Sequence, residues 1–465
     1  MDGTYGFISV VPVIVLIVVT LLTKRTFESL LLATVLAMII GYRGEWFTAF
    51  VNQLQAVTSA NIWVLLVVGL LGGLVGVFER SRAAMGFTGW LSRFATTRKR
   101  SLIAEWLLSV ILFVDDYLNI LTTGSITKRL NDSHRVHRTM TAYIIGSTSA
   151  PVVVLIPLSS WSIYYASLIN NTGVVPEGSS AVGMYMQSIP FMFYPMICLL
   201  VLLLVIGGIL PLFGPLRTMQ KQADAGGSLY PPGEETLEEA AEDQEELEEL
   251  EDAAKKPSKA GVLDFLLPLL VLVAATIYFD IDVLTGVVLA LVFTGAMYLI
   301  RKRMTLVDYV DSMWEGFSSM VSVLALLVIA FMFKAACENL GMSDYIIGKV
   351  APLMSGSVLP TVIFLAATLM TFALANAWSV SAIMIPLVVS LALDMNANMA
   401  VAIAAIFSGS VFGTQLCFYS DNAILIAKAT GIQPMDHVKT QLPFAMVSGV
   451  LTCVAYLIYG FVFLG

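Results

Sequence analysis

Two adjacent carboxylates stand in an apolar stretch of the chain. Asp115 and Asp116 lie within Leu112–Asn119, whose other members are mostly apolar. A charged side chain at the bilayer centre costs at least about 2.5–3.5 kcal/mol, so two in succession indicate a function. Carboxylate oxygens bind small cations and, when buried, bind protons more readily, so one site can exchange the two. Asn119, one helical turn on, could add a carbonyl ligand. The structural alternative is that one aspartate caps a helix or pairs with an arginine such as Arg129.

A second polar interruption lies in the C-terminal half. The segment Phe372–Ser381 contains Asn376, Trp378 and Ser379. Small polar groups at an interrupted apolar segment are typical of transporter sites near the membrane midplane. We therefore predict that Asn376 and Ser379 contribute to the site, with Trp378 either an interfacial anchor or a wall of the pocket.

Two further apolar segments contain clusters of Gly, Pro and Ser. The first comprises Gly146–Pro151 and Pro157–Trp161, and the second comprises Ser408–Gln415 and Tyr419–Asn422. Breaks at such clusters free backbone carbonyls and helix ends that can bind a cation or a substrate carboxylate. The alternative is close helix packing by small residues. The candidate site residues here are Ser147, Thr148, Ser159, Ser410, Thr414, Ser420 and Asp421.

These segments must be positioned by membrane spans. The chain is 58% hydrophobic and 12% charged, with a mean hydropathy of +0.86, whereas soluble proteins carry about 25% charged residues. A span needs roughly 20 apolar residues to cross a hydrocarbon core about 30 Å thick. The predicted spans are residues 7–23, 27–42, 61–78, 139–165, 188–213, 262–279, 283–300, 317–336, 397–428 and 441–464.

Basic loops indicate the membrane topology of the chain. Clusters of Lys and Arg flank segment 102–126 on both sides. Because basic loops stay on the cytoplasmic side, this segment must enter and leave from one side as a re-entrant hairpin. Segment 358–393 is its counterpart. We predict an all-α polytopic membrane protein with two inverted-topology repeats, each of about five transmembrane helices plus one re-entrant hairpin.

An acidic stretch separates the two repeats. Residues 221–259 hold thirteen acidic and four basic residues, so the rest of the chain is nearly neutral despite a net charge of −8. We expect an acidic cytoplasmic linker at 214–260, between an N-terminal repeat at 1–213 and a C-terminal repeat at 261–465. No phosphate loop, nucleophile elbow or zinc motif indicates an enzyme or an ATP-driven pump.

Several motifs resemble those of the NhaC-type sodium/proton antiporter family, within the broad ion-transporter superfamily. They are Phe113–Asn119, Ala142–Val152, Pro157–Trp161, Ser408–Gly413, Ser420–Asp421 and Asp436–Pro443. The resemblance spans nearly the whole chain. It implies scaffold and transport domains, re-entrant hairpins, and often a dimer with elevator-like motion. Family members commonly carry an acid at the positions of Gly146 and Thr414, so two cation ligands are missing here.

Residues and resemblance together predict a secondary active transporter of the cell membrane (plasma or inner), not an enzyme. The first hypothesis is cation/proton antiport, sodium/proton-like, by alternating access. Its candidate sodium ligands are Asp115, Asp116, Asn119 and Asp421, and no cofactor is expected besides the transported sodium and protons. The alternative is sodium- or proton-coupled transport of a small organic solute such as an amino acid or a carboxylate. The expected partners are membrane lipid, the transported cation or solute, and a second copy of the chain in a homodimer, with no nucleic acid.

Overall fold

The fold is built from helices in every part of the chain that the structure describes. The computed structural model describes residues 5–23, 25–113, 115–157, 159–171, 181–232, 259–279, 282–350, 356–394 and 397–463. These ranges contain twenty-two α-helices and no strand.

The helices of the first half precede the acidic stretch. They are α1 (Val11–Thr23), α2 (Thr26–Tyr42), α3 (Trp46–Ala60), α4 (Ile62–Arg80), α5 (Ala83–Ser92), α6 (Arg98–Ile111), α7 (Asp116–Ser133), α8 (Arg138–Leu155), α9 (Ser160–Asn171), α10 (Ala181–Ser188), α11 (Phe193–Gly207) and α12 (Gly214–Asp224). The helices of the second half are α13 (Lys259–Tyr278), α14 (Val283–Ile300), α15 (Leu306–Ser319), α16 (Val321–Asn339), α17 (Met342–Val350), α18 (Leu359–Leu374), α19 (Ala377–Asp394), α20 (Met399–Leu416), α21 (Asp421–Thr430) and α22 (Pro434–Phe463).

The order of helices recurs in the two halves. Helices α1–α9 correspond in sequence order to α13–α21, and α11 corresponds to α22. The lengths agree closely at the centre of each half, since α7, α8, α19 and α20 each have 18 residues. The halves also pack on each other reciprocally, because α7 contacts α21 while α9 contacts α19.

Local sequence explains many helix boundaries. Thr97 caps α6 by accepting a hydrogen bond from the backbone amide of Arg100 at 3.3 Å. Thr305 and Asp308 form a capping box at the start of α15, in which each side chain binds a backbone amide left free by the first turn. At the other end of a helix, Gly208 adopts a φ of +78° after α11, which glycine adopts without steric cost.

Several helices are suited to a membrane. By length and hydropathy, five helical segments in the described ranges could cross one, or seven if each of two bent pairs counts as one span. The five are Phe27–Ala60, Ile62–Arg80, Val283–Ile300, Met399–Leu416 and Pro434–Val462. Gly6–Leu16 and Val262–Tyr278, in the predicted spans 7–23 and 262–279, are shorter apolar helices.

Both predicted hairpin segments consist of two helices separated by a short break. Segment 102–126 lies in α6, which ends at Ile111, and α7, which begins at Asp116, and segment 358–393 lies in α18 and α19. In the second break, Ala375 adopts a φ of +57°, a left-handed conformation that is rare for residues other than glycine. The interruptions in these two segments are therefore present where the sequence placed them.

Both Gly-, Pro- and Ser-rich segments are broken as expected, each near the second of its two clusters. Helix α8 runs through Gly146–Pro151 and ends at Leu155 before α9 begins at Ser160, and α20 runs through Ser408–Gln415 and ends at Leu416 before α21 begins at Asp421. Close packing of α20 on α18 explains why the cluster Ser408–Gln415 itself stays helical. A Cβ added at Gly413 would lie 2.8 Å from the carbonyl oxygen of Thr368, so glycine lets the two backbones approach.

The start of the predicted linker is a docked helix. Helix α12 packs on α8 and α22 with Leu216 buried. The side chain of Gln220 donates to the carbonyl of Arg135 at 2.9 Å, and Arg98 pairs with Asp224 at 2.6 Å. The acidic residues 234–252 lie outside the described residues.

Candidate functional site

Four helix N-termini meet at the site, one after each of the four helix breaks. They are the starts of α7, α9, α19 and α21. Each is capped by a side chain of its own break. Asp115 accepts from the amides two and three residues on at 3.0 and 3.1 Å, Ser159 from an amide at 3.2 Å, Asn376 at 2.9 Å, and Ser420 at 3.3 Å. Each cap satisfies one or two of the four amides that a helix start leaves free, so the residues of each break stabilise the helix that follows it.

Side-chain hydrogen bonds join the four helices into a ring. Asp115 on α7 accepts from the hydroxyl of Ser160 on α9 at 2.8 Å. The hydroxyl of Tyr117 on α7 donates to Asp421 on α21 at 2.7 Å. The amide of Asn376, at the start of α19, donates to the same Asp421 oxygen at 3.3 Å. Helices α9 and α19 are joined by the hydroxyl of Tyr164, which donates to the carbonyl of Trp378 at 3.0 Å.

The two adjacent aspartates have different environments. Both oxygens of Asp115 are used, one by the α7 cap and one by Ser160. Asp116 accepts from the indole nitrogen of Trp161 at 3.0 Å, while its other oxygen is buried without a hydrogen-bond partner. The side chain of Asn422 lies beside this carboxylate but outside the hydrogen-bond geometry for that oxygen. The cap that the sequence offered as an alternative role is therefore seen at Asp115, and Asp116 presents an open acceptor.

The three carboxylates share one electrostatic environment. Asp115 and Asp421 lie close enough to Asp116 for their charges to act on it, and all three side chains are buried. In the described part of the chain, no Lys, Arg or His forms an ion pair with them. The ammonium of Lys334 on α16 acts on Asp421 from beyond ion-pair distance. Burying unpaired carboxylates is costly, which is consistent with a site that takes up a proton or a cation.

Aromatic rings cluster around Trp161, whose indole binds Asp116. The ring centroid of Trp161 lies 5.6 Å from those of Tyr165 and Trp378. The rings of Tyr164 and Trp378 are 4.7 Å apart. Tyr165 in turn stacks on Phe407 of α20 at 4.0 Å. Trp378 and Tyr164 are half-buried, whereas Trp161 and Tyr165 are buried.

Several predicted site residues lie in other hydrogen bonds. Asn119 fixes α7 to α6, because its amide donates to the carbonyl of Ser109 at 2.6 Å and its oxygen accepts from the Ser109 hydroxyl at 2.6 Å. Thr148 and Thr414 each bond a carbonyl of their own helix, at 2.7 and 2.8 Å. Ser147 and Ser410 are buried in α8 and α20. Ser379 donates to the Asn376 oxygen at 2.9 Å, beside the carboxylates.

A small neutral cavity lies next to the carboxylates. It has a volume of about 10 Å³, enough for one water molecule. Its lining includes Gly146, Thr414 and Asn422 together with His437 and Gln441. A Cβ at Gly146 would lie 2.5 Å from the side-chain oxygen of Gln441 and 2.9 Å from the His437 ring, so these side chains would have to shift to admit one. The two positions where the family commonly carries acids thus line one uncharged cavity.

The donor set for a bare metal ion is limited. Among the residues that the structure describes, no group of three or more His, Cys, Asp or Glu side chains is arranged to hold a metal ion. Asp115 is occupied by its cap, and Asn119 by α6. Two of the four sodium ligands predicted from the sequence remain. Asp116 and Asp421 lie in the ring, and neither carboxylate accepts from two backbone amides as Asp115 does.

Some residues that build the site carried no individual assignment from sequence. Tyr117 and Ser160 lie within the motifs, but their bonds to Asp421 and Asp115 depend on packing between distant segments. Away from the ring, near the C-terminal end of α7, Glu105 on α6 is fully buried, and one of its oxygens accepts from Asn131 at 2.7 Å. A charged residue inside the apolar part of the first hairpin was the signal that could have marked Glu105.

In the described residues, apolar helices of membrane length surround buried acids at helix breaks, which is typical of a multi-pass membrane transporter. The model of the Na+/H+ antiporter family matches residues 152–461, more than half of the chain. The chain therefore belongs to the Na+/H+ antiporter family, which confirms the resemblance drawn from its motifs.

Other proteins resemble the chain along most of its length. A Haemophilus influenzae protein described as uncharacterized is 24% identical, over 98% of this chain and 91% of that protein. Neisseria gonorrhoeae MtrF, whose structure was described as illuminating a class of antimetabolite efflux pumps, is 12% identical, with a TM-score of 0.37 over 94% of this chain and 95% of MtrF. The Alcanivorax borkumensis YdaH transporter is 12% identical, with a TM-score of 0.41 over 90% and 89% of the two chains. Neither structural similarity is strong enough to indicate a substrate.

Proposed function

We propose that this transporter exchanges a cation for protons across the cell membrane by alternating access, with Asp116 as the exchanging group. The observation that carries the proposal is the open, buried oxygen of Asp116 at the meeting point of four capped helix starts. A buried carboxylate is stabilised either by a proton or by a bound cation. Because one oxygen cannot hold both, loading one ligand releases the other, and coupling needs no covalent step.

The neighbouring polar groups position this carboxylate. Asp115 holds the start of α7 and ties it to α9, so it fixes the backbone from which Asp116 projects. Asp421 adds a second negative charge near Asp116, and Tyr117 and Asn376 hold its orientation. In sodium/proton exchange, Asp116 and Asp421 would supply the carboxylate oxygens to the ion. The helix breaks that carry these groups provide the irregular backbone that transporters place at membrane depth.

The arrangement of the two halves supports alternating access. The recurring helix order and the reciprocal packing of α7 on α21 and α9 on α19 fit two repeats of opposite membrane orientation. In such repeats, exchanging the conformations of the two halves opens the site to the other side. The inverted orientation, the plasma or inner membrane location and a homodimer belong to this proposal.

Coupled transport of a small organic solute is the second candidate. The aromatic cluster around Trp161 favours it, because Trp161, Trp378 and Tyr164 offer a surface for an organic group that a bare ion does not need. Ligand sites for organic molecules combine such apolar walls with a few fixed polar groups.

Flux in proteoliposomes tests the proposal. The full chain is reconstituted with a trapped pH dye, an outward proton gradient is imposed, and sodium, lithium, potassium or no cation is added. We expect a cation-dependent pH change that Asp116→Asn abolishes. Asp311→Asn, at an exposed position of α15, is the matched control and should keep full flux. Full flux in Asp116→Asn would refute the site, and silence with every inorganic ion in folded protein would favour an organic substrate.

A further inference from the structure

A cavity of about 650 Å³ lies between α3 and α16. We call it the α3–α16 cavity. Its polar lining residues are on both helices and at their ends, and they include Thr48, Asn52, Gln53, Asn61, Lys334 and Asn339. Lys334 belongs to the predicted span 317–336. Because a charged side chain within a span faces either the protein interior or a water-filled space, this polar lining indicates a cavity that contains water.

Hydrogen bonds join the two helices beside the α3–α16 cavity. The side chain of Gln53 on α3 donates to the carbonyl of Met332 on α16 at 3.1 Å. The side-chain amide of Asn339 donates to the Gln53 oxygen at 3.3 Å and to the Tyr42 hydroxyl at 3.2 Å. These bonds hold α3 and α16 at a separation that keeps the space between them open, so the cavity is part of the fold.

Lys334 relates the α3–α16 cavity to the carboxylates of the site. It is half-buried in the cavity wall, and its charge acts on Asp421. Its charge also acts on Glu338, one turn along α16, but within the described ranges Lys334 forms no ion pair and no hydrogen bond. Helix α16 packs on α21, and the ring of Phe333 meets that of Tyr419 edge-on at 5.8 Å, two residues before Asp421.

The equivalent helices of the other half are closely packed. In the recurring helix order, α3 corresponds to α15 and α16 corresponds to α4. A Cβ added at Gly76 on α4 would lie 2.6 Å from the carbonyl oxygen of Ser312 on α15, and one added at Gly73 would lie 3.0 Å from that of Met313. One helix pair is therefore open and its counterpart is closed. In transporters with two repeats, such a difference between the halves opens the site to one side of the membrane.

We infer that the α3–α16 cavity is the aqueous entrance through which the exchanged cation reaches the carboxylates, and that the charge of Lys334 in its wall limits how tightly the cation is held. This inference rests on the proposed exchange function and adds to it an entrance and a residue that sets cation affinity. An ammonium repels a cation bound near it, so Lys334 favours release of the cation at the end of the transport step.

Thiol labelling tests the entrance. Ala56→Cys on α3 and Ala335→Cys on α16 each place a thiol in the cavity. Both are made in a Cys453→Ser chain, because the remaining cysteines are buried. The full chain in proteoliposomes is treated from either face with a permanently charged methanethiosulfonate reagent that does not cross lipid. We expect both thiols to react from the same face, and their modification to remove most of the sodium-driven proton flux.

Two further cysteine variants are the controls for labelling. Ser312→Cys is buried in the closed contact of α15 with α4, so it should not react from the face that labels the cavity. Asp311→Cys, at an exposed position of the same helix, should keep full flux after the same treatment. The inference would be overturned if neither cavity thiol reacted, or if flux stayed complete after both had been modified.

The sodium dependence of flux tests the role of Lys334. In alkaline medium, where protons compete least, Lys334→Gln should lower the sodium concentration that gives half-maximal flux by about 2- to 30-fold, the range for removing a repelling charge beyond ion-pair distance. A purely structural role would lower the maximal rate and leave that concentration unchanged, which would contradict the inference. Lys334→Arg keeps the charge and should behave like the unsubstituted chain, as should Lys302→Gln at an exposed position.

The same flux assay separates this inference from the function on which it rests. If a cation drives Asp116-dependent proton flux that neither modification of the cavity thiols nor Lys334→Gln alters, the inference is wrong and the exchange function stands. If sodium, lithium and potassium all fail to drive flux in the folded, unmodified chain, both are wrong.

Discussion

The adjacent aspartates should respond in opposite ways to loss of their charge. Asp115→Ala removes the cap of α7 and the acceptor for the buried Ser160 hydroxyl. Asp116→Asn keeps the shape of the side chain and an oxygen that can accept from the Trp161 indole. The first change should therefore act on stability and the second on transport.

The hydrogen bonds set the size of the difference. Loss of a helix cap costs about 0.5–2 kcal/mol, and a buried hydroxyl left without its partner costs about 1–3 kcal/mol. Asp115→Ala should thus lose about 1.5–5 kcal/mol of stability. Asp116→Asn should lose less than about 1 kcal/mol or gain stability, because it removes a buried charge that has no counter-ion.

Thermal unfolding of the purified chain, followed by intrinsic fluorescence, measures the first effect, and proteoliposome flux measures the second. Asp115→Asn is the control, since asparagine is also a good helix cap, and it should recover most of the stability lost in Asp115→Ala. The reasoning would be refuted if Asp116→Asn lowered the unfolding temperature more than Asp115→Ala did. It would also be refuted if Asp115→Ala unfolded at the temperature of the unsubstituted chain.

Three further substitutions test other parts of the structure by the same unfolding measurement. Gly146→Ala should cost about 1–3 kcal/mol, because the new methyl group would lie 2.5 Å from the Gln441 side-chain oxygen in a closed cavity; an unchanged midpoint would contradict the packing described. Tyr117→Phe removes the hydroxyl that donates to Asp421 at 2.7 Å, so it should cost about 1.5–3 kcal/mol, and flux in the same variant should fall. Asp132→Asn removes the acid of the ion pair with Arg138, whose two side chains lie 2.9 Å apart and are 4% and 3% exposed. It should cost about 3–5 kcal/mol. A loss under about 1 kcal/mol would show that the pair is not buried in solution.

The acidic linker shows what amino-acid composition can and cannot predict. The charge run identified a boundary between the halves, because acids with few apolar partners cannot form a core. It did not predict that α12 docks on α8 and α22. The sequence of this helix offers only one leucine that becomes buried and a few polar side chains. Those side chains gain partners only when Arg98 and Arg135 lie opposite them.

The Gly- and Ser-rich clusters show a related difficulty. Glycine in an apolar segment is compatible with a break, but it also allows two helices to approach closely. At Gly413 the second role applies, because α18 lies directly against the backbone. The role depends on whether a neighbouring helix packs against the glycine. The sequence of one segment does not contain that information.

The sequence alone identifies a multi-pass membrane protein of a transporter family. Hydropathy identifies the spans, because segments that cross lipid must be apolar. The motifs identify a transporter, because acids buried in a membrane are too costly to lack a function. It also placed the two interrupted hairpin segments and the acids Asp115, Asp116 and Asp421. Only the tertiary structure separated the roles of Asp115 and Asp116 and placed Trp378 beside the indole that binds Asp116. These depend on contacts among α7, α9, α19 and α21, whose partners are as many as 304 residues apart, and such distances lie beyond any local pattern of residues.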